Sequence, residues 1–167
     1  GVYDDRLLAP VGDEDYTLLH CFGTCYGNGT GECPPTWMLT MTVNTANITV
    51  GPNGMFVGGG YFGGANAVAM SDDDGDGTYE VTVEIQDGTS GYYAFFNSPN
   101  AGDDWGTKEP ITGLDCAYGT YDDRYFDAVT ADTTLMHCFG TCDTDGSCPE
   151  GDPALMLQGI MDFTVPE

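Results

Sequence analysis

The sequence predicts an all-β protein, a sandwich of short strands, and three observations carry that expectation. Several short stretches alternate apolar with polar side chains, as strands with one buried face require. Clusters of Gly, Asn, Asp and Pro bound those stretches, with 25 glycines and 9 prolines in the chain, so tight turns divide it often. Seven cysteines recur in a repeated spacing, which predicts disulfide-stapled loops around a small core. A small barrel is the other closure open to such strands.

The elements follow in order. Trp37, Leu39, Met41 and Val43 alternate with Met38, Thr40, Thr42 and Asn44, predicting a first strand with its odd-numbered face inward. The run from Met55 to Gly64 lacks side-chain bulk and reads as a strand that bulges or passes close to another backbone before a loop. Tyr79, Val81, Val83 and Ile85 share one face, with Glu80, Thr82 and Glu84 on the other. The aromatic run from Tyr92 to Phe96 supplies a further strand, and no helix is needed.

An internal repeat sets the domain organisation. Tyr3-Asp4-Asp5-Arg6 recurs as Tyr121-Asp122-Asp123-Arg124, and His20-Cys21-Phe22-Gly23-Thr24-Cys25 returns as His137-Cys138-Phe139-Gly140-Thr141-Cys142 at nearly the same interval. Each copy closes with one more cysteine, Cys33 or Cys148, and Trp37-Met38-Leu39-Thr40 is echoed by Leu155-Met156-Leu157-Gln158. Residues 36–148 are therefore expected to be one complete module. Residues 1–35 read as the tail of a preceding one, and 149–167 as the first strand of a following module or an intersubunit strand.

Composition excludes several partners. With 3 Lys+Arg against 27 Asp+Glu, the formal charge of -24 repels nucleic-acid phosphates and anionic headgroups. A disordered chain is disfavoured by 41% apolar residues, 10 Tyr and 8 Phe. No apolar run of about 18 residues is present, so no membrane insertion is expected, and any export signal is expected to have been removed. Clustered cysteines beside few basic residues suit an oxidising compartment, which places the protein outside the cell.

Phe56-Val57-Gly58-Gly59-Gly60-Tyr61, then Asp72 to Val81, then Gly91-Tyr92-Tyr93-Ala94-Phe95 and then Trp105 form an ordered set of signals over residues 36–110. This order resembles the starch- and glycogen-binding immunoglobulin-like modules found in tandem in secreted bacterial surface proteins. The resemblance implies an immunoglobulin-like β-sandwich and a polysaccharide ligand held by exposed tryptophans on loops. Where that family carries an aromatic in a Gly-Trp pair, this chain has Gly63-Gly64-Ala65-Asn66, leaving Trp105 as the family-type sugar contact.

Cysteine spacing then yields a pairing. Cys142 and Cys148 flank a short loop and are expected to pair, with Cys116 upstream as the mate of Cys138. The first copy predicts Cys25 with Cys33 and leaves Cys21 unpaired or in an external disulfide. A zinc site from His137, Cys138, Cys142 and Cys148 is the rival, weakened because adjacent strand residues face opposite ways. Each closure stabilises by about 2–4 kcal/mol.

Asp72, Asp74 and Asp76, followed by Gly77, fit the opening of a calcium loop, although Val83 stands where a helix-loop-helix site needs a bidentate Glu. The competing reading is a solvated acidic hairpin turn. Arg6 and Arg124 hold equivalent repeat positions and are expected to bridge carboxylates or bond loop carbonyls, whereas Lys108 has no comparable context. Asn28 and Asn47 head glycosylation sequons.

No nucleophile elbow, metalloprotease helix or phosphate loop is present in the sequence, so no enzyme is expected. The leading expectation is a subunit of a surface filament, in which copies join head to tail by strand addition. The alternative is a carbohydrate-binding module of a larger secreted hydrolase or adhesin, its polysaccharide held by Trp105 and several tyrosines.

Overall fold

Alternation and turn chemistry are realised together in the computed structural model, which describes residues 34–149. The chain divides into two compact units between Thr36 and Trp37, and every strand residue after Thr36 belongs to the second. In order come β1 (Thr36–Asn44), β2 (Met55–Gly59), β3 (Gly63–Ala69), β4 (Thr78–Gln86) and β5 (Thr89–Asn97). A 3-10 turn (Trp105–Thr107), β6 (Arg124–Val129) and β7 (Thr133–Cys138) follow. They form an all-β sandwich of a three-stranded sheet, order β4-β1-β7, and a four-stranded sheet, order β3-β2-β5-β6.

The core lies between the sheets and is built from the faces that alternation predicts. Leu39, Met41 and Val43 of β1 and Ile85 of β4 meet Met55 and Val57 of β2, Tyr93 and Phe95 of β5, and Phe126 and Val129 of β6. β1 is the central strand of its sheet and runs parallel to β7, in register from Leu39 opposite Thr133 to Asn44 opposite Cys138. The glycine run behaves as its composition requires: the β2–β3 register shifts between Val57 and Gly59. A Cβ at Gly58 would strike the Gly64 carbonyl, and one at Gly60 the Tyr92 carbonyl.

β5 departs from simple alternation, because Tyr93, Ala94, Phe95 and Phe96 are all buried. Ala94 and Phe96 point away from the main core and form a second cluster with Ala65 and Phe56 on the outer face of the larger sheet. The Trp105 ring covers Phe96 edge-on at 5.6 Å. A connection from residue 98 to residue 123, far longer than most loops, thus makes a third layer over this face, and such loops are usually functional.

Two sequence expectations are corrected here. Among the described residues the disulfides join Cys116 to Cys142 and Cys138 to Cys148, not Cys116 to Cys138 and Cys142 to Cys148. The cause is the path after β7. Cys142 emerges beside the 112–117 loop, where the Cys116 amide meets its sulfur at 3.1 Å. The chain then folds back so that Asn44 Nδ2 donates to the Gly146 carbonyl, which brings Cys148 to the buried Cys138 at a Cα separation of 5.0 Å. With Cys138, Cys142 and Cys148 all in disulfides, the zinc alternative falls as well. The acidic run at 72–77 is a largely exposed turn, its ends tied by reciprocal backbone bonds between Ser71 and Glu80. It carries the chain from β3 in one sheet to β4 in the other.

Candidate functional site

The outer layer on the larger sheet encloses a cleft of about 830 Å³. Gly59 and Gly60, at the end of β2, form its floor, where the missing side chains leave room beside Ala94 of β5 and the Trp105 ring. Trp105, Tyr92, Tyr118 and Tyr121 line it, with Lys108, Gly119, Thr120 and Asp123 between them. These aromatics are not core residues: Trp105 is 51% exposed and Tyr121 79%. Tyr125 extends the surface, its ring 5.1 Å from Tyr92 and 6.4 Å from Tyr118.

Two ion pairs, adjacent in sequence, stand on opposite sides of the sheet at this point. On the cleft side, Lys108 Nζ donates to Asp123 Oδ1 at 2.6 Å, to the Asp122 carbonyl at 3.0 Å and to the Tyr121 carbonyl. Lys108 therefore has a defined structural context, contrary to the sequence expectation. On the core side, Arg124 Nε and Nη2 donate to Glu109 Oε1 and Oε2 at 2.8 and 2.6 Å, a bidentate pair in which the arginine is 2% and the glutamate 3% exposed.

The buried pair is fully satisfied. Arg124 Nη2 also reaches the Thr141 carbonyl at 2.8 Å and the Cys138 carbonyl at 3.4 Å, so it bonds the loop carbonyls of the Cys-Phe-Gly-Thr-Cys box. Glu109 accepts the amides of Phe95 and Gly140. Arg124 Nη1 can only donate to His137 Nδ1, at 3.0 Å, which puts the imidazole proton on Nε2, donating to the Tyr93 hydroxyl at 2.7 Å. Burial, reinforced by the Arg124 charge, lowers the His137 pKa to about 4, so the ring is neutral at pH 7. Burial likewise pushes the Tyr93 hydroxyl well above its usual range.

The remaining predicted residues lie away from the cleft. Ligand oxygens of Asp72, Asp74 and Asp76 lie within 4.8 Å of one another. Asp72 accepts the amides of Gly75 and Asp76 on Oδ1 and of Gly77 on Oδ2, and Asp76 accepts that of Thr78. Hard carboxylate oxygens of this kind fit calcium, and these three residues would hold it. Asn47 is exposed, and its Nδ2 donates to the Phe139 carbonyl at 2.8 Å, a bond that a glycan on that nitrogen would have to share. Arg6, Cys21, Cys25, Asn28 and Cys33 lie outside the described residues.

Chemically, the cleft offers aromatic rings beside a carboxylate and hydroxyl groups, over a floor of bare backbone. Such a surface can stack on the C–H face of a sugar ring while bonding its hydroxyls. Of its residues, the sequence singled out Trp105. Tyr118, Tyr121, Lys108 and Asp123 meet only through the fold of the 98–123 connection, although its length and its aromatics between two strands were visible. No helix among the described residues is long and apolar enough to cross a membrane. No protein-family model matches the chain, and no curated protein matches it in sequence, so the resemblance to starch-binding modules rests on the residues that carry it.

Proposed function

We propose that this sandwich is a non-catalytic, extracellular binding module for an uncharged polysaccharide, held in the Trp105–Tyr121 cleft. The observation that carries the reading is the convergence of Trp105, Tyr92, Tyr118 and Tyr121 on one open groove, each more than two-fifths exposed. Large exposed aromatics in a concave site are costly to leave in water and mark a ligand surface. The ligand is uncharged because the protein's charge of -24 repels anions, and the ammonium of Lys108, the cation lining the cleft, already has three protein acceptors for its three protons. Disulfides in the module support an oxidising, extracellular setting, and seven strands in sheets of three and four fit the immunoglobulin-like form. Affinity electrophoresis in gels containing soluble starch, a neutral β-glucan or polygalacturonate tests it. Retardation by a neutral polymer, lost in Trp105→Ala, is expected; migration unaffected by every polymer contradicts it.

A second reading, self-assembly by strand addition, is favoured by the sheet order. β4 and β7 are the outer strands of the smaller sheet, and the segment Leu155–Gln158 echoes β1, the strand that sits between them. A β1-like segment from one copy adding to an open edge of another would join copies head to tail. Electron microscopy of native material decides it: regular fibres support assembly, and dispersed single particles contradict it.

A further inference from the structure

We infer that Lys108 is the positioning residue of the cleft, a clasp that fixes its tyrosine wall to its floor. The backbone of Lys108 belongs to the floor: it bridges Phe96 of β5 and caps the 3-10 turn that carries Trp105. Its ammonium reaches the wall, donating to the Tyr121 carbonyl, the Asp122 carbonyl and Asp123 Oδ1. Three protons meet three converging acceptors, which is the full capacity of an ammonium group.

The wall needs such an anchor. Residues 118–123 form a turn closed by paired backbone bonds between Tyr118 and Asp123, at 2.7 and 2.9 Å, with positive φ at Gly119 and Asp122. Its tip is solvent-facing: Gly119, Thr120 and Tyr121 are all exposed, with the Tyr92 ring lying beside Gly119. Its other ties are lateral: the Cys116–Cys142 disulfide, a bond from the Thr112 hydroxyl to Asp122 Oδ2 at 3.0 Å, and the Tyr118 ring against Tyr125 at 6.4 Å. None of these involves Trp105 or the 3-10 turn that carries it. Lys108 alone among the described residues bonds both the turn's tip carbonyls and the floor, so it sets the distance between Tyr121 and Trp105. Arginine cannot substitute, because a planar fork does not direct three N–H groups from one nitrogen onto three acceptors.

The test compares amide exchange by NMR in the full chain and in Lys108→Met, with Lys108→Arg as a second variant. In both variants the Tyr118 and Asp123 amides, whose bonds close the turn, are expected to exchange at least about tenfold faster, while β2 and β5 amides keep their rates. Unchanged exchange at Tyr118 and Asp123 overturns the clasp, and so does equal acceleration throughout the strands, which would make Lys108 a general stabiliser. A second readout, retardation in soluble starch, rests on the glycan reading: it is expected to fall in both variants with little change in melting temperature. If the parent chain binds no glycan, that reading fails while the exchange result still judges the clasp.

Discussion

The two ion pairs Lys108–Asp123 and Glu109–Arg124 join the same two stretches of chain, one residue apart, yet they sit in different solvents. The inner pair is in the core, almost wholly out of water, with its side-chain donor and acceptor atoms matched by backbone amides, backbone carbonyls, His137 or its partner. The outer pair is partly solvated, at 18% and 12% side-chain exposure, and its remaining bonds go to the tip of one turn. Alternation at the entry to β6 explains the split: Asp123, in its bridge to Tyr118, and Arg124, the first residue of the strand, face opposite sides of the sheet. The inner pair therefore governs whether the module folds, and the outer pair governs the shape of a surface.

The largest effect expected from that contrast is at Arg124. Replacing it with Met strands the Glu109 carboxylate in the core and is expected to cost about 3–5 kcal/mol in chemical denaturation, whereas Lys108→Met costs about 1 kcal/mol or less. Replacing Glu109 and Arg124 together by apolar residues should recover much of the loss, since no charge is then left unpaired. Comparable losses at Lys108 and Arg124 would erase the distinction.

Acid attacks the inner region next. Folded His137 takes up its proton only near pH 4, against an ordinary 6.5, so the unfolded chain binds more protons between those values. The stability tied to this site is complete above pH 6.5 and declines as pH falls toward 4, by about 3 kcal/mol at most. Unfolding free energies measured across that window should fall less steeply in His137→Gln than in the parent, and parallel profiles would show that the imidazole does not titrate on unfolding.

The outer region answers to different substitutions. Trp105→Ala should abolish polysaccharide retention while lowering the melting temperature by only a few degrees, because half of the ring is already in water. The smallest effect is expected at the acidic loop, where backbone amides already satisfy Asp72. Calcium at tenfold excess over its dissociation constant should stabilise by about 1.4 kcal/mol, a gain lost in Asp74→Ala. A melting curve indifferent to both calcium and chelator removes the ion from this loop.

How far the sequence reveals this division depends on the range of each interaction. Leu39, Met41 and Val43 could be placed inward from alternation alone, and Gly58 and Gly60 from the loss of bulk, because both signals are local. A structural Arg124 was legible from its repeat position, but not its partner Glu109, which is brought in by a distant loop. The disulfide pairing was read from the shortest loop and came out exchanged, since the fold-back of residues 143–148 past Asn44 has no signature in cysteine spacing. Trp105 was legible through the resemblance to starch-binding modules, as the family-type sugar contact that remains where the Gly-Trp pair is missing. Tyr118 and Tyr121 were not, because ten tyrosines leave no way to tell cleft from core.

The central claim, a neutral-glycan cleft built on Trp105, is tested most directly by making that residue the sole fluorophore of its kind. The chain holds 2 tryptophans, and Trp37→Phe leaves Trp105 as the only one. Titration of that variant with soluble starch and with a neutral β-glucan is predicted to shift and saturate the emission with at least one of them, with polygalacturonate leaving it unchanged. Emission indifferent to every neutral polymer, or responding only to the charged one, would contradict the account.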